Sequence, residues 1–462
     1  STRKESSAAS DVYKRQSFMS SRNLTFSVGG VHMDEHKTLT EKIAIERMPS
    51  PKIAYIPMSQ HIGAPCSPVV SKGDSVKVGQ MVGNSDAYIS AAIHSSVSGT
   101  VKEIKKMYTA DGRYCDCVVI ENDGKDEMTD DLKSFKDYKD HPIDDLIPFI
   151  KEKGVVGMGG AGFPLHAKLK GEDPVLDECI INGAECEPFL TCDHRIMLER
   201  TEEILEGLDI FSYFYNKDVS YMAIEENKPD AIAKMEEVIG KNPNWSHLKV
   251  VGCQTKYPQG DSKRLSEAVV GRIVPQNGVT NDVGVFLTNV GTTLAFYEAM
   301  IEGKPSYERV ITVSGSGIKE PKNVLVKIGT PVGDILDFCG GVKENFKEII
   351  CGGPMTGKSV FSLDAPVTKT TSGILVFTEE EVTERIESPC IRCSRCVDHC
   401  PANINPTDIN HAILKGDVDL CSALHADQCM ECGICSFVCP AKRHLSASVK
   451  LAKREIRANQ KK

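Results

Sequence analysis

The sequence has no long apolar run, no excess of positive charge and no secretory leader, and each absence excludes a class of protein. No stretch reaches the roughly eighteen consecutive apolar residues of a membrane-spanning helix, so any membrane association must run through a partner or a surface patch. The formal net charge of −9 argues against nucleic acid as a partner. Residues 1–18 are polar and lack the apolar core of a signal peptide. We therefore interpret 1–18 as an extraneous or disordered leader and expect the natural start near Met19.

The chain is rich in cysteine, and the positions of its cysteines indicate metal binding. It has 462 residues, of which 40% are hydrophobic and 26% charged, as expected for a globular protein of several domains. Eight of the eighteen cysteines fall in two tight groups near the C-terminus, and the other ten are scattered, mostly in apolar runs. This distribution predicts metal-bound thiolates and small buried thiols in a reducing compartment, since a disulfide framework is typical of short secreted chains.

Residues 50–123 read as short strands separated by turns. Their spacing resembles the barrel-sandwich fold of biotinyl and lipoyl carrier domains. Such carriers need a lysine on an exposed hairpin, yet no lysine lies between Lys77 and Lys102. We therefore predict a structural module, not a swinging arm. Cys115 and Cys117 alternate along a predicted strand and share one face, where packing is favoured over a metal pair.

Between residues 143 and 302, helical and strand patterns alternate, which predicts a sheet covered by helices on both faces with ligands at the strand ends. The predicted helices are 143–153, 195–205 and 229–239, and the predicted strands are 178–182, 219–225, 248–252 and 283–290. From residue 309 to about 370 the chain turns β-rich, and its strand–turn–strand–helix order resembles a small β-grasp domain. The basic stretch 449–462 is predicted to form a helix with a solvated face.

Two cysteine runs with identical spacing carry the strongest motif. The first is Cys390-x2-Cys393-x2-Cys396-x3-Cys400-Pro401, and the second repeats it 39 residues later, before Pro440. This is the bacterial two-cluster ferredoxin pattern, in which the fourth cysteine of each run binds the other cluster. Structural zinc usually needs two Cys pairs with a longer spacer and is disfavoured. The predicted ligand sets are Cys390, Cys393, Cys396 and Cys439 for one [4Fe–4S] cluster, and Cys429, Cys432, Cys435 and Cys400 for the other.

Basic side chains lie beside the first cysteine run. Arg392, Arg395 and His399 would raise the reduction potential if their charge stabilised the reduced cluster. The alternative is that they are simply solvated.

A glycine-rich loop, Gly157-Met158-Gly159-Gly160-Ala161-Gly162-Phe163-Pro164, precedes a predicted helix. Glycines at such positions let backbone amides approach a phosphate at a helix N-terminus. The spacing departs from the dinucleotide-binding fingerprint, so the loop alone does not identify its ligand. About twenty residues later comes a second motif, Asn182-Gly183-Ala184-Glu185-Cys186-Glu187-Pro188.

Together these motifs resemble a known family. The flavin-and-NADH subunit of respiratory complex I has a similar glycine loop and Asn-x-x-Glu-x-Glu-Pro segment. Over nearly the whole chain the match is to the RnfC family, a component of the Rnf complex, the ion-translocating ferredoxin:NAD⁺ oxidoreductase. That family combines the Gly29–His32 opening, the carrier-like barrel, both motifs and the double cysteine run in this order. Met158 and Ala184 depart from the complex I pattern.

The resemblance implies two [4Fe–4S] clusters, a bound FMN and NAD(H) as substrate. No side-chain acid or nucleophile is implied, and Cys186 is expected to pack in its loop. Phe163 would stack on NAD(H) and Glu187 would form a hydrogen bond to it. The remaining implied cofactor-binding residues are Gly157, Gly159, Gly160, Gly162, Lys168, Asn182, Glu185, Tyr257, Gly260, Asn289 and Thr292.

The implied function is that of a peripheral electron-transfer subunit on the cytoplasmic face of a bacterial cell membrane. Its expected partners are an iron–sulfur subunit, integral membrane subunits and, indirectly, ferredoxin. A soluble cobalamin reductase contains the same flavin and cluster modules, but its glycine loop lies near the N-terminus. A non-catalytic iron–sulfur scaffold is the other alternative.

The sequence thus predicts a multidomain α/β protein. The predicted units after the leader are a barrel-sandwich module over 19–137, an FMN/NADH-binding α/β domain over 138–305, a β-grasp domain over 306–376 and a two-cluster ferredoxin-like domain over 377–462.

Overall fold

The computed structural model describes residues 24–169, 176–382 and 386–460. The predicted leader and Met19 lie outside these ranges. Within them, no helix is both long and apolar enough to cross a bilayer.

The described residues form strands that we number in chain order. They are β1 (Ile45–Arg47), β2 (Ile53–Pro57), β3 (Ser67–Pro68), β4 (Ser75–Val76), β5 (Met81–Asn84), β6 (Ile93–His94), β7 (Gly99–Tyr108), β8 (Tyr114–Asn122), β9 (Glu178–Gly183), β10 (Ser220–Glu225), β11 (Leu248–Cys253), β12 (Val285–Asn289), β13 (Glu308–Ser314), β14 (Lys322–Lys327), β15 (Phe346–Cys351), β16 (Lys358–Ser359) and β17 (Gly373–Thr378).

The α-helices are numbered in the same way. They are α1 (Ile143–Glu152), α2 (Leu165–Leu169), α3 (Cys192–Glu199), α4 (Thr201–Phe214), α5 (Pro229–Lys241), α6 (Ser262–Val270), α7 (Val290–Glu302), α8 (Val332–Phe338), α9 (Arg395–Asp398), α10 (Pro406–Leu414), α11 (Val418–Ala423), α12 (Ile434–Phe437) and α13 (Leu445–Gln460).

The barrel module consists of two small antiparallel sheets with strand orders β2-β8-β7-β4 and β3-β5-β6. Their inward side chains, such as Ile56, Val82 and Ile120, form one buried core. Cys117 is buried in strand β8 while Cys115 is half-buried. The turn between β5 and β6, where a carrier lysine would sit, presents Tyr88, which is 50% exposed.

The central domain is a four-stranded parallel sheet with the order β11-β10-β9-β12. Its middle strands are largely buried runs of apolar side chains, as expected when helices cover both faces of a sheet. All four strands run in the same direction, so their carboxyl ends meet at one edge. Asn182 and Gly183 of β9, Glu225 of β10 and Asn289 of β12 lie at this edge.

One predicted helix of the central domain is wrong as a continuous element. Residues 195–205 belong to two helices, α3 and α4, which meet at Arg200 with φ −129° and ψ 39°. The Thr201 hydroxyl donates to the Met197 carbonyl, 2.6 Å away. Such back-bonding by threonine competes with the helical hydrogen bonds and bends the chain. The Arg200 guanidinium then pairs with Glu203 across the break.

A six-stranded mixed sheet with the order β1-β14-β13-β17-β15-β16 forms the third unit. The strands and helix α8 predicted for the β-grasp domain are present. The sheet also recruits β1, which pairs in parallel with β14. Among the described residues, the barrel core contains none before Ala54.

The cysteine module contains helices α9 to α13 around a small core that includes Cys421, Ile409 and Val449. Its long last helix, α13, packs on α10 and α11. The predicted mixed α/β, multidomain architecture is confirmed.

Candidate functional site

The glycine loop is a closed turn between α1 and α2. The Gly157 amide donates to the Phe163 carbonyl at 2.9 Å. Gly162 has φ +75°, and a Cβ there would lie 2.7 Å from the Thr370 side chain. A Cβ on Gly159 would lie 3.0 Å from the Asn289 side chain, whereas one on Gly160 would meet nothing within 4 Å. Packing and backbone conformation therefore require glycine at Gly162, Gly159 is closely packed, and Gly160 leaves an open approach to the backbone.

The same loop is joined to the end of strand β12. The Met158 amide donates to the Thr292 hydroxyl at 2.9 Å. The Asn289 side chain caps α7 by accepting from the amides of Gly291 and Thr292, and its own amide donates to Asp193 at 2.7 Å. The structure thus brings the glycine loop, Asn289 and Thr292 together at the sheet edge.

Asn182 and Gly260 also meet at this edge. The Asn182 side chain donates to the Gly260 carbonyl at 2.8 Å and accepts from the Ala184 amide at 3.0 Å. Cys186 accepts a hydrogen bond from the Gly260 amide, and burial raises the pKa of its thiol. Cys186 therefore packs inside its loop, in agreement with the sequence interpretation.

Glu185 faces the start of helix α3. Its carboxylate accepts hydrogen bonds from the amides of Asp193 and His194, at 2.7 and 3.1 Å. An anion at a helix N-terminus is stabilised by the unpaired amides and the helix dipole. Burial and the neighbouring Glu185 raise the pKa of Asp193 to about 7. Sequence reasoning missed Asp193, because a single Asp at the start of a helix is usually read as an ordinary first-turn residue.

Lys168 lies on α2, behind the glycine loop. Its ammonium group donates to the Leu287 carbonyl in strand β12, two residues before Asn289. Burial lowers the pKa of Lys168 to about 8. The ring of Phe163, by contrast, is 42% exposed at the outer side of the loop.

Two buried lysines that sequence reasoning also missed hold the loop after β9. Lys37 donates to the carbonyls of Glu185, Glu187 and Leu190, at 2.9, 3.0 and 2.6 Å. Lys228 donates to the Ala184 carbonyl at 2.6 Å. Lysine is rarely buried, so composition and periodicity give no signal for this role.

Glu187 lies under the loop between β15 and β16. Its carboxylate accepts from the Met355 amide at 3.1 Å and from the Thr356 hydroxyl. A Cβ on Gly353 would lie 2.2 Å from the Glu187 carboxylate oxygen. Burial raises the pKa of Glu187. The β-grasp domain therefore contacts this side chain, which stays partly exposed.

The eight predicted cluster cysteines line two separate cavities. We call Cys390, Cys393, Cys396 and Cys439 the outer set, and they line one cavity. We call Cys400, Cys429, Cys432 and Cys435 the inner set, and they line another. Each cavity draws its fourth cysteine from the other run, as the spacing predicts.

The two cysteine loops share one backbone conformation. Arg392 and Glu431, at equivalent positions, have φ 55° and 60°, and the next equivalent pair, Ser394 and Gly433, has φ 62° and 80°. The amides of Arg392 and Glu431 point at the sulfur atoms of Cys390 and Cys429, 3.4 and 3.3 Å away. Amides aimed at the sulfurs stabilise a negatively charged cluster.

The inner set packs directly on the central domain. The Tyr257 hydroxyl donates to the Cys432 carbonyl at 2.9 Å, and Tyr257 is only 4% exposed. A Cβ on Gly433 would lie 2.7 Å from the Met355 carbonyl oxygen, in the loop that covers Glu187. The Gly30 amide donates to the His399 carbonyl at 3.0 Å. Tyr257 is thus placed at the boundary with the cysteine module, whereas Asn182, Gly260 and Asn289 lie at the sheet edge.

Comparison with protein families gives one match to each unit. The matched models and residues are the RnfC barrel sandwich hybrid domain at 24–125, the Nuo51 FMN-binding domain at 150–298, the SLBB domain at 310–359 and the 4Fe-4S dicluster domain at 389–444.

Curated relatives cover most of the chain. The RnfC-type subunit of the proton-translocating ferredoxin:NAD(+) oxidoreductase complex of Clostridium ljungdahlii is 45% identical over 85% of this chain and 84% of its own length. The equivalent protein of the Na(+)-translocating complex of Acetobacterium woodii is 40% identical over 94% and 98%. Its counterpart in the ion-translocating oxidoreductase complex of Rhodobacter capsulatus is 39% identical over 86% and 76%. An NAD+-reducing [NiFe]-hydrogenase structure has a TM-score of 0.45, with 17% identity over 71% of this chain and 63% of the hydrogenase chain.

The described residues fit both cofactors that these family models name. The open side of Gly160 and the polar side chains at the strand ends suit a phosphate-bearing flavin. Four thiols around each of two cavities suit iron–sulfur clusters. The chain belongs to the RnfC family of ion-translocating ferredoxin:NAD(+) oxidoreductase complexes.

Proposed function

We propose that this chain transfers electrons between NAD(H), bound with FMN at the edge of the central sheet, and two [4Fe–4S] clusters held by the inner and outer sets. A bound FMN exchanges two electrons with NAD(H), and iron–sulfur clusters carry electrons singly. The protein's own residues position these groups and exclude water. The direct contact between Tyr257 and Cys432 supports this function best, because it joins the sheet edge to the inner set.

The positions of the predicted site residues support the following assignment. Gly157, Gly159, Gly160 and Gly162 would approach the flavin phosphate or ribityl chain through backbone amides, with Lys168 supplying positive charge. Asn182, Glu185, Gly260, Asn289 and Thr292 would shape the rest of the flavin site. Phe163, exposed at the loop, would stack on NAD(H).

Electrons would then reach the inner set before the outer set, because only the inner set packs on the central domain in the described residues. The chain would act as a peripheral subunit on the cytoplasmic face of the membrane, with an iron–sulfur subunit, integral membrane subunits and indirectly ferredoxin as partners. None of the eighteen cysteines, all of which lie in the described residues, is paired in a disulfide, which suits a reducing compartment. Family membership favours this function over the cobalamin reductase alternative.

Anaerobic purification with flavin and iron quantification tests the proposal. We expect about one FMN and about eight iron atoms per chain, since each cubane holds four. Addition of NADH should bleach the flavin absorbance and produce the spin-resonance signal of reduced clusters. A protein that neither retains nor rebinds FMN would be a non-catalytic scaffold, contrary to the proposal.

Glu187→Gln tests the predicted contact of Glu187 with NAD(H) separately from the binding of FMN. The variant keeps an acceptor for Met355 or Thr356 but loses the carboxylate charge. We expect the apparent affinity for NADH to fall more than the retention of FMN, measured by steady-state kinetics and by flavin content. An unchanged apparent NADH affinity would remove Glu187 from the substrate site.

A further inference from the structure

The two cysteine sets differ in what covers them. The inner set is closed by Tyr257 and by the loop after β15. Around the outer set Cys393 is exposed, and Ile391, two residues before it, is 67% exposed. Ile386, shortly before in the chain, is 81% exposed. Ile391 lines the cavity of the outer set, so its exposed side chain is placed to form the desolvated centre of a partner contact beside the redox centre.

The same surface carries positive charge that the chain itself does not neutralise. Arg392 and Arg395 lie on either side of Cys393, and both are exposed. Neither guanidinium takes part in an ion pair with any residue the structure describes. The nearby carboxylate of Glu387 accepts from the His444 amide. In a chain with a net charge of −9, two arginines without an ion-pair partner among the described residues flank the exposed Cys393.

The basic helix α13 is a weaker candidate for the same role. Lys453 is engaged by Glu431 and by the Cys429 carbonyl, and Arg454 pairs with Glu455. Its positive charges are thus partly neutralised within the chain. The nearby cavity is lined by charged side chains and Ala458, with no large exposed apolar side chain at its centre.

We propose that Ile386, Ile391, Arg392, Cys393 and Arg395 form the docking surface, here called the outer face, for an electron-transfer protein whose contact surface carries carboxylates around an apolar centre. Isoleucine side chains would supply the desolvated centre and the arginines the charged rim, an arrangement common to protein interfaces. Opposite charges would steer the encounter and orient the partner toward Cys393. The choice of an electron-transfer partner rests on the proposed function, whereas the existence of the interface does not.

Photocrosslinking tests the interface without relying on NADH oxidation. A benzoylphenylalanine is placed at Ile391, or at Ile273 as a control, in membranes that contain the assembled complex. Ile273 is 68% exposed and lies in the central domain, so the two positions are matched in residue type and exposure. We expect a crosslink from position 391, and none from 273, to an acidic segment of a cofactor-carrying protein. No crosslink from 391, or a crosslink to a second copy of this chain, would overturn the proposal.

Charged one-electron acceptors test the chemistry of the outer face in the purified holoprotein. Arg392→Glu with Arg395→Glu should slow reduction of anionic ferricyanide about tenfold at low salt and accelerate reduction of cationic hexaammineruthenium(III). The matched pair Lys450→Glu with Arg454→Glu on α13 should change neither rate by more than about twofold. The rate of flavin bleaching by NADH is recorded for the wild type and for each variant. If the proposed function is wrong, NADH fails to bleach the flavin even in the wild type, whereas a wrong docking surface leaves that bleaching intact.

A redox titration completes the test. The reduction potential of the outer cluster is measured in the wild type and in the Arg392→Glu, Arg395→Glu variant, and both acceptor rates are corrected for any shift. If the arginines act at the surface, the corrected rates still show that the variant reduces ferricyanide more slowly, and hexaammineruthenium(III) faster, than the wild type does. If the potential shift alone accounts for both rates, the arginines tune the cluster, and the docking surface is wrong.

Discussion

The two cysteine loops have the same spacing and the same backbone conformation, yet their surroundings differ. Arg392 and Glu431 occupy equivalent left-handed positions, and an amide points at the first cysteine in each loop. The inner loop is covered by Tyr257, whereas the outer loop leaves Cys393 exposed. Ligand geometry is therefore encoded locally, while the order of the two sets along an electron path is set by tertiary contacts.

Cysteine variants give the largest effect and test this comparison directly. Cys432→Ser should lose the inner cluster and about half of the iron, and should block NADH-driven reduction of the remaining cluster. Cys393→Ser should lose the same amount of iron but leave the inner cluster reducible by NADH. Flavin bleaching by NADH should persist in both. Iron analysis and spin resonance, with dithionite-reduced samples as the control for intact clusters, measure the outcome.

If bleaching of the flavin collapsed equally in both variants while each stayed folded, the separation between the sheet edge and the cysteine sets would be wrong.

The glycine loop lies at the other end of the proposed electron path, at the flavin site, and two of its glycines can be compared in the same way as the two cysteine sets. Gly162→Ala forces a left-handed conformation on a Cβ-bearing residue and a contact of 2.7 Å with Thr370. We expect a loss of about 2 kcal/mol in the free energy of unfolding and weaker FMN retention. Gly160→Ala is the matched control, since its Cβ would meet nothing within 4 Å. Thermal unfolding of the flavin-free protein separates the two, and equal destabilisation would contradict the packing argument.

Asp193 makes stability at the sheet edge depend on pH. Its folded pKa of about 7 lies above the ordinary value of 3.8, because burial and Glu185 disfavour the anion. The folded protein therefore binds more protons than the unfolded chain in this window, and stability falls as pH rises from about 4 to about 7. Asp193→Asn should reduce that fall, measured by urea unfolding at pH 5 and pH 8. The exposed Asp86→Asn serves as the control.

A pH dependence of the Asp193→Asn variant as steep as that of the wild type would show that Asp193 does not carry this effect.

Tyr257→Phe gives the smallest expected effect and sharpens the contrast between the two sets. The substitution removes one buried hydrogen bond to the Cys432 carbonyl, for a loss of about 1 kcal/mol. We expect the reduction potential of the inner cluster to shift and that of the outer cluster to stay constant in a dye-mediated titration. Tyr114→Phe, at a 58% exposed position, should change neither. Equal shifts of both potentials would show that Tyr257 does not act at the inner set alone.

Patterns of neighbouring residues predicted the features that depend mainly on neighbouring residues, namely the strands, the cysteine sets and the residues at strand ends. The parallel strands β9 to β12 followed from short apolar runs, and the two cysteine sets followed from spacing alone. Asn182 and Asn289 were predicted at strand ends and do lie at one sheet edge. These predictions needed no knowledge of distant contacts.

The sequence patterns did not predict the contacts between residues far apart in the chain. Nothing in the pattern around Lys37 indicates that its ammonium group binds three carbonyls some 150 residues away. The pairing of β1 with β14 joins segments about 280 residues apart in the chain. The break at Arg200 was missed because the Thr201 hydroxyl overrides a regular helical period.

Rapid-freeze spin resonance after mixing the holoprotein with NADH tests the electron path most directly. Signals are assigned to the inner and outer clusters from the Cys393→Ser and Cys432→Ser spectra. If electrons pass from the sheet edge through the inner set to the outer set, the inner signal rises first and the outer signal follows. An outer signal that rises first, or that forms at the wild-type rate in Cys432→Ser, would contradict this path.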